Sequence, residues 1–273
     1  MKQSLVLSTQ ATAFDAATFQ GSIEANLDTL AAIGYDGVEL AVRDPSLVKA
    51  EEIRRLTAAR GLEVPAIGTG QAWGEDGLSF THHDEAVRRR AIERVGRHIE
   101  LAGELGALVI IGLVRGVHWK SVSQEQAAAW LLEALGPLAR QAEEGGVGIA
   151  LEAINRYETS LVNGVADGLS LIERVGSPAL GLLLDTFHMN IEEADMAASI
   201  RRAGTRLFHF HVADSNRWYP GAGHIDFKTL LQTLSDMGYD GYVSGEFLPK
   251  PNAETAARES IAHIRPLIAA LSA

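Results

Sequence analysis

Eight short β-rich runs alternate with longer amphipathic stretches along the whole chain, and this alternation limits the available folds more than any other feature. The runs fall at residues 4–7, 37–42, 63–68, 107–112, 147–151, 181–184, 207–212 and 241–245. Several are almost wholly apolar, as expected of parallel strands covered on both faces. The stretches between them carry helical periodicity. Residues 87–105 place Val87, Ala91, Ile92, Val95, Ile99, Ala102 and Leu105 on one side, with Arg88, Arg89, Arg90 and Glu93 mostly off it. Gly34, Gly61, Gly106, Gly145 and Gly238 each follow a helical pattern, where a left-handed cap is wanted.

Eight strand-then-helix units in 273 residues predict an α/β fold, a (β/α)₈ TIM barrel, as a single domain over residues 1–273. An open doubly wound sheet is the competing architecture. It usually carries a glycine-rich phosphate loop after the first strand, and none is found there. Gly68-Thr69-Gly70 lacks the third glycine of a dinucleotide fingerprint and reads as a turn.

Charge and residue usage exclude several functions. Lys and Arg number 24 against 35 Asp and Glu, a formal charge of −11, which repels phosphate backbones and argues against nucleic-acid binding. With no cysteine, disulfides, zinc–thiolate sites and thiol catalysis are ruled out. The apolar stretch near the N-terminus is too short for a signal peptide. The longest apolar run, near residues 107–114, falls far below the ~18 residues of a membrane span. The expectation is a cytoplasmic protein with no membrane partner.

Barrel enzymes build their sites at the carboxyl ends of the strands. There, strands five to eight present Glu152, Asp185, His211 and Glu246, at intervals of 33, 26 and 35 residues. An acidic residue at one strand end is often only a helix cap. Four chelating groups on consecutive strands argue for a common purpose. Three converging carboxylates repel one another unless a proton or a cation intervenes. Oxygen-rich ligation with one nitrogen suits Mn²⁺, Mg²⁺ or Co²⁺, one divalent metal ion per subunit. His209 shares a face with His211 and reads as a hydrogen-bonded core histidine. Glu39, inside strand two, is either a buried partner for a polar neighbour or a catalytic group. Asp226 is expected to cap a helix starting at Phe227. Glu158 follows strand five, His188 lies three residues past Asp185, and Arg217 follows strand seven. Arg43 and Arg115 lie just beyond strands two and four, on the same end of the barrel.

The stretch from Leu151 through Asn155-Arg156-Tyr157-Glu158, Leu184-Asp185-Thr186-Phe187-His188-Met189-Asn190 and Phe210-His211 through Asn216-Arg217 resembles the ketose 3-epimerases. These are the D-tagatose and D-psicose 3-epimerases of the xylose-isomerase-like TIM barrels. The likeness spans the chain and is strongest over residues 151–246. The first half, with Leu40-Ala41-Val42-Arg43-Asp44-Pro45-Ser46, Ala66-Ile67-Gly68-Thr69-Gly70-Gln71-Ala72 and Val109-Ile110-Ile111-Gly112-Leu113-Val114-Arg115-Gly116, is similar to a narrower group, the 5-keto-L-gluconate epimerases. That group interconverts 5-keto-L-gluconate and D-tagaturonate.

The resemblance implies that Glu152, Asp185, His211 and Glu246 bind the metal. It implies that Glu152 and Glu246 are also the two bases that invert C3 through a cis-enediolate. It implies substrate contacts from Glu158, His188 and Arg217, and Gln71 is placed with them. Three departures bear on the substrate. Asp214-Ser215 replaces a Glu-Ala pair, Glu246-Phe247 replaces Glu-Pro, and Ser8-Thr9-Gln10 replaces an aromatic-rich strand end. They point from a neutral hexulose towards a keto-sugar acid, whose carboxylate Arg43, Arg115 or His118 would hold. Aldose–ketose isomerisation of the hydroxypyruvate isomerase type uses the same chemistry and stays open. So does neutral ketose 3-epimerisation. A multi-zinc endonuclease would need further histidines where Gly70-Gln71 and Val114-Arg115 stand. The outer helices admit a homo-oligomer.

Overall fold

The computed structural model describes residues 1–117 and 122–271. Its eight strands are β1 (Lys2–Ser8), β2 (Gly37–Ala41), β3 (Ala66–Gly68), β4 (Leu108–Ile111), β5 (Ile149–Glu152), β6 (Leu180–Asp185), β7 (Leu207–Val212) and β8 (Tyr242–Gly245). They close in sequence order, each parallel to its neighbours, with Lys2 of β1 opposite Tyr242 of β8. The TIM barrel expected from the alternation is therefore the fold. The described helices are α1 (Ile23–Ile33), α2 (Ala50–Ala58), α3 (Gly70–Gly74), α4 (Glu85–Leu105), α5 (Gln124–Gly145), α6 (Val165–Val175), α7 (Thr186–Glu192), α8 (Met196–Ala203), α9 (Phe227–Asp236) and α10 (Ala253–Ala270).

Strand alternation sorts the side chains into two sets. Leu5, Leu7, Val38, Leu40, Val109, Ile111, Ile149, Leu151, Leu182, Leu184 and Phe210 belong to the large core shared with the helices. Ala66, Ile110, Ala150 and Leu183 form a separate small cluster inside the ring. On β5 and β6 this inner set is in phase with Glu152 and Asp185, so the period of two that buries Leu151 and Leu184 outside turns the acids inward. Helix α4 buries Ala91, Val95, Ile99 and Ala102, the stripe its sequence predicts.

Two local expectations are corrected. Strand β3 begins at Ala66 rather than at residue 63, because Pro65 has no N–H to give a ladder and Glu63 pairs with Gly37 only as an isolated bridge. Gly145 is the last helical residue of α5, and the left-handed cap is Gly146 (φ 64°). Gly34 and Gly106 cap as expected. Asp226 caps α9, its side chain accepting the N–H of Thr229.

Candidate active site

Glu152 and Asp185 end β5 and β6, His211 is the penultimate residue of β7, and Glu246 directly follows β8. One ligand atom from each lies within 4.8 Å of the others, so the structure brings together the four residues the strand ends singled out. Asp185 serves as both cap and cluster member. Its Oδ1 accepts the N–H of Phe187 at 2.7 Å and starts α7, while its Oδ2 is buried without a partner among the described residues. His211 Nδ1 is likewise buried and unpartnered there, 3.9 Å from Glu246 Oε2.

An orphaned Asp185 oxygen and an orphaned His211 nitrogen beside two further carboxylates make a donor set that fits a hard divalent cation. The charges agree. Burial, then the neighbouring Glu246, raises the Glu152 carboxyl well above its ordinary value. Burial also raises Asp185. Glu246 is pushed up to about 7 by burial, against the pull of His211 and Arg217. A cation would relieve each of these strains at once.

The groups around the cluster are oriented by hydrogen bonds. Asn155 accepts the N–H of Tyr157 on Oδ1, so its Nδ2 is the atom that donates to Glu158 Oε1 (2.9 Å) and to His188 Nδ1 (2.7 Å). Burial, reinforced by Arg217, holds His188 well below its ordinary pKa. A neutral ring accepting at Nδ1 carries its proton on Nε2. That Nε2 lies 3.6 Å from Glu152 Oε1.

Arg217 owes its position to Asp214. The Asp214 carboxylate accepts the N–H groups of Ser215, Gly221 and Ile225 at 2.7–3.2 Å and gathers the loop after β7. A Cβ on Gly223 would lie 2.1 Å from Asp214 Oδ1, so only glycine fits there. Within this loop Arg217 adopts φ 60°, rare for a residue with a side chain. Its guanidinium reaches Glu158 (3.1 Å) and Glu246 (3.4 Å) and lies over the Phe187 ring.

A cavity of about 280 Å³ opens above the cluster. Glu152, His188, His211, Arg217 and Glu246 form its floor, and Phe14, Trp73, Gln71 and Glu75 line it further out. Gln71 Nε2 donates to Ser8 Oγ at 2.6 Å, and Ser8 gives its own hydrogen to the Gln10 carbonyl. The Gln71 amide is thereby oriented with Oε1 unpartnered among the described residues. Glu75 accepts from Thr12 Oγ1 and Ala13 N and ties down the loop after β1.

Two expected substrate cations are placed elsewhere. The Arg43 guanidinium is held by Asp76, which also binds Arg94, and Arg43 does not line the cavity. Arg115 is completely buried and gives its N–H groups to the carbonyls of Leu161, Gly112 and Val162. A strand-end position told where each residue begins but not which partner takes its charge. His118 lies outside the described residues. Sequence reasoning gave no role to Asn155 or Asp214 and left Glu39 open. Glu39 is in phase with the inward residues of β2, which was the available signal.

The family described as Xylose isomerase-like TIM barrel matches residues 27–267. The L-ribulose 3-epimerase of Mesorhizobium japonicum is 34% identical over 235 residues, 85% of this chain and 78% of that one. The ketose 3-epimerase of Arthrobacter globiformis is 33% identical over 84% of this chain and 78% of its own. A solved L-ribulose 3-epimerase superposes with a TM-score of 0.82 at 27% identity, covering 99% of this chain and 95% of the other. The chain belongs to the xylose isomerase-like TIM barrel family. Within it, the relatives make this an enzyme of the carbohydrate epimerase class.

Proposed function

We propose that the protein is a divalent-metal-dependent epimerase that inverts C3 of a ketose or keto-sugar acid through a cis-enediolate by two-base proton transfer. One observation carries the reading. Glu152 and Glu246, at the ends of strands three steps apart around the ring, converge with Asp185 and His211 at the base of a sugar-sized cavity. Those four residues would hold one Mn²⁺, Mg²⁺ or Co²⁺ ion. When bound, the ion supplies Lewis-acid polarisation of the substrate's ketone and neighbouring hydroxyl, typically worth several kcal/mol.

The chain supplies the proton chemistry. One of Glu152 and Glu246 removes the C3 proton from one face, and the other returns a proton to the opposite face. Positioned bases of this kind contribute about 10²–10⁴-fold. His188 presents an Nε2–H beside Glu152 as a donor for the developing oxyanion, and Arg217 supplies positive charge from the side of Glu246. Glu158, held by Asn155 and Arg217, accepts from substrate hydroxyls. Phe14 and Trp73 present apolar rings to the outer cavity.

For the substrate, the motifs at residues 40–46, 66–72 and 109–116 favour 5-keto-L-gluconate and D-tagaturonate. A second reading, a neutral ketose, is favoured by the outer wall. Glu75 and the Gln71 Oε1, unpartnered among the described residues, accept hydroxyl protons and repel a carboxylate, and Arg217 is the one guanidinium among the described cavity residues. Incubating the Mn²⁺-loaded protein in D₂O with keto-uronates and ketoses tests the proposal. Deuterium at C3 with inversion supports it, and the faster substrate class decides between the readings. Deuterium at C1 with aldose formation, or no exchange with any sugar, overturns it.

A further inference from the structure

We propose that Glu39 is the positioning residue of this site, reaching across the barrel from β2 to hold His209 and His211 by their Nε2–H groups and so aim the Nδ1 lone pair of His211 at the cation cluster. The inference rests on reading Glu152, Asp185, His211 and Glu246 as a cation site.

The geometry is specific. Glu39 Oε2 lies 2.8 Å from His209 Nε2 and 3.0 Å from His211 Nε2, and Oε1 lies 3.1 Å from His211 Nε2. All three residues are buried. Glu39 Oε2 lies within hydrogen-bond distance of both ring nitrogens, and a carboxylate oxygen seated between two imidazoles accepts from both, so both Nε2 atoms donate. That leaves Nδ1 as the one coordinating atom of His211, and Nδ1 is the atom found orphaned beside Glu246. His209 meets His211 edge to face, with ring centroids 5.2 Å apart, and supports Glu39 from the deeper layer.

Glu39, His209 and His211 also converge closely enough to suggest a second ion. Their separations are instead those of hydrogen bonds, and neither ring Nε2 nor either Glu39 oxygen is left unpaired. An ion there would have to displace every one of those bonds. A carboxylate that fixes a ligand imidazole through its second nitrogen is the simpler account, and removing such a partner typically costs 10–100-fold in metal affinity.

Glu39→Gln tests this. Both carboxylate oxygens lie against His211 Nε2, so an amide presents an N–H to that nitrogen in either orientation. His211 then relieves the clash by carrying its proton on Nδ1, where it competes with the cation. Two measurements are read on the parent and variant proteins. Free Mn²⁺, counted by electron paramagnetic resonance, should show affinity weakened about 10–100-fold. In the ¹⁵N-histidine spectrum of the Mg²⁺-loaded protein, the His211 Nε2–H signal should be lost or shifted. If the amide variant does not fold, Glu39→Asp, which keeps the charge but withdraws it by one methylene, should weaken Mn²⁺ binding in the same direction. A folded variant with parental Mn²⁺ affinity and the parental His211 signal overturns the proposal. Neither measurement uses a sugar, so its failure is distinct from failure of the epimerase reading.

Discussion

The Nη2 of Arg217 lies 3.4 Å from Oε2 of Glu246, and the same guanidinium reaches Glu158 at 3.1 Å. This fork spans one proposed base and one hydroxyl acceptor, on a residue whose backbone is held at φ 60° by the Asp214 loop. Arg217→Lys keeps the charge but loses the planar fork. It should lower kcat/KM about 10²-fold through misplacement of both carboxylates, with the thermal midpoint nearly unchanged. Steady-state kinetics and a melting curve check this.

Arg115 has the opposite character. Burial pulls its guanidinium down to about 10, still cationic at neutral pH, with the Glu152 and Glu158 charges opposing the shift. Its N–H groups hold Leu161 and Val162, and Val162 sits at φ 60°, a strained position for a β-branched residue. Arg115→Met should lower the thermal midpoint, since each buried carbonyl left unpaired costs about 1–3 kcal/mol. Activity should fall equally on keto-uronates and neutral ketoses. Loss confined to the acids would instead give Arg115 a carboxylate-binding role.

Removal of bound metal by EDTA should abolish epimerisation and lower thermal stability, because the three carboxylates are then left facing one another. Mn²⁺, Co²⁺ or Mg²⁺ should restore both. The stabilisation should follow mass action, reaching about 2.7 kcal/mol at a hundredfold excess over Kd. Calorimetry across a metal titration reads it directly, and a midpoint insensitive to metal would contradict the site.

Asp76 sets a pH dependence remote from the chemistry. Burial alone would raise its carboxyl, but Arg43 and Arg94 hold it below the ordinary carboxylate value. A folded-state pKa below the unfolded one contributes stability above the unfolded value, near 3.9, and loses it as pH falls through the folded value. Asp76→Asn should therefore destabilise the protein at pH 7, by an amount that shrinks as pH falls below the unfolded value. Urea melts of both proteins across a series of acidic pH values measure this.

The barrel was readable because its signals are local. Strand runs, amphipathic stripes and glycine caps reflect the period of a few consecutive residues, and misjudgement was confined to ends such as Pro65 and Gly145. The four cluster residues were readable because strand ends on one side of a closed barrel must converge. The fates of Arg43 and Arg115 were not. Their partners are Asp76, 33 residues on, and the carbonyls of Leu161 and Val162, 46 and 47 residues on. No local period encodes such a pairing.

By itself the chain's order of residues determined a closed parallel barrel and which acids and imidazole reach its carboxyl end, since both follow from short-range periodicity and connectivity. Only the tertiary structure decided how those groups are oriented and which cations remain near the cavity. The Glu39 bond to His209 spans 170 residues, and that of Arg217 to Glu158 spans 59. The direction of a hydrogen bond and the neutralisation of a charge depend on distances of a few ångströms, and those exist only once the ring has closed.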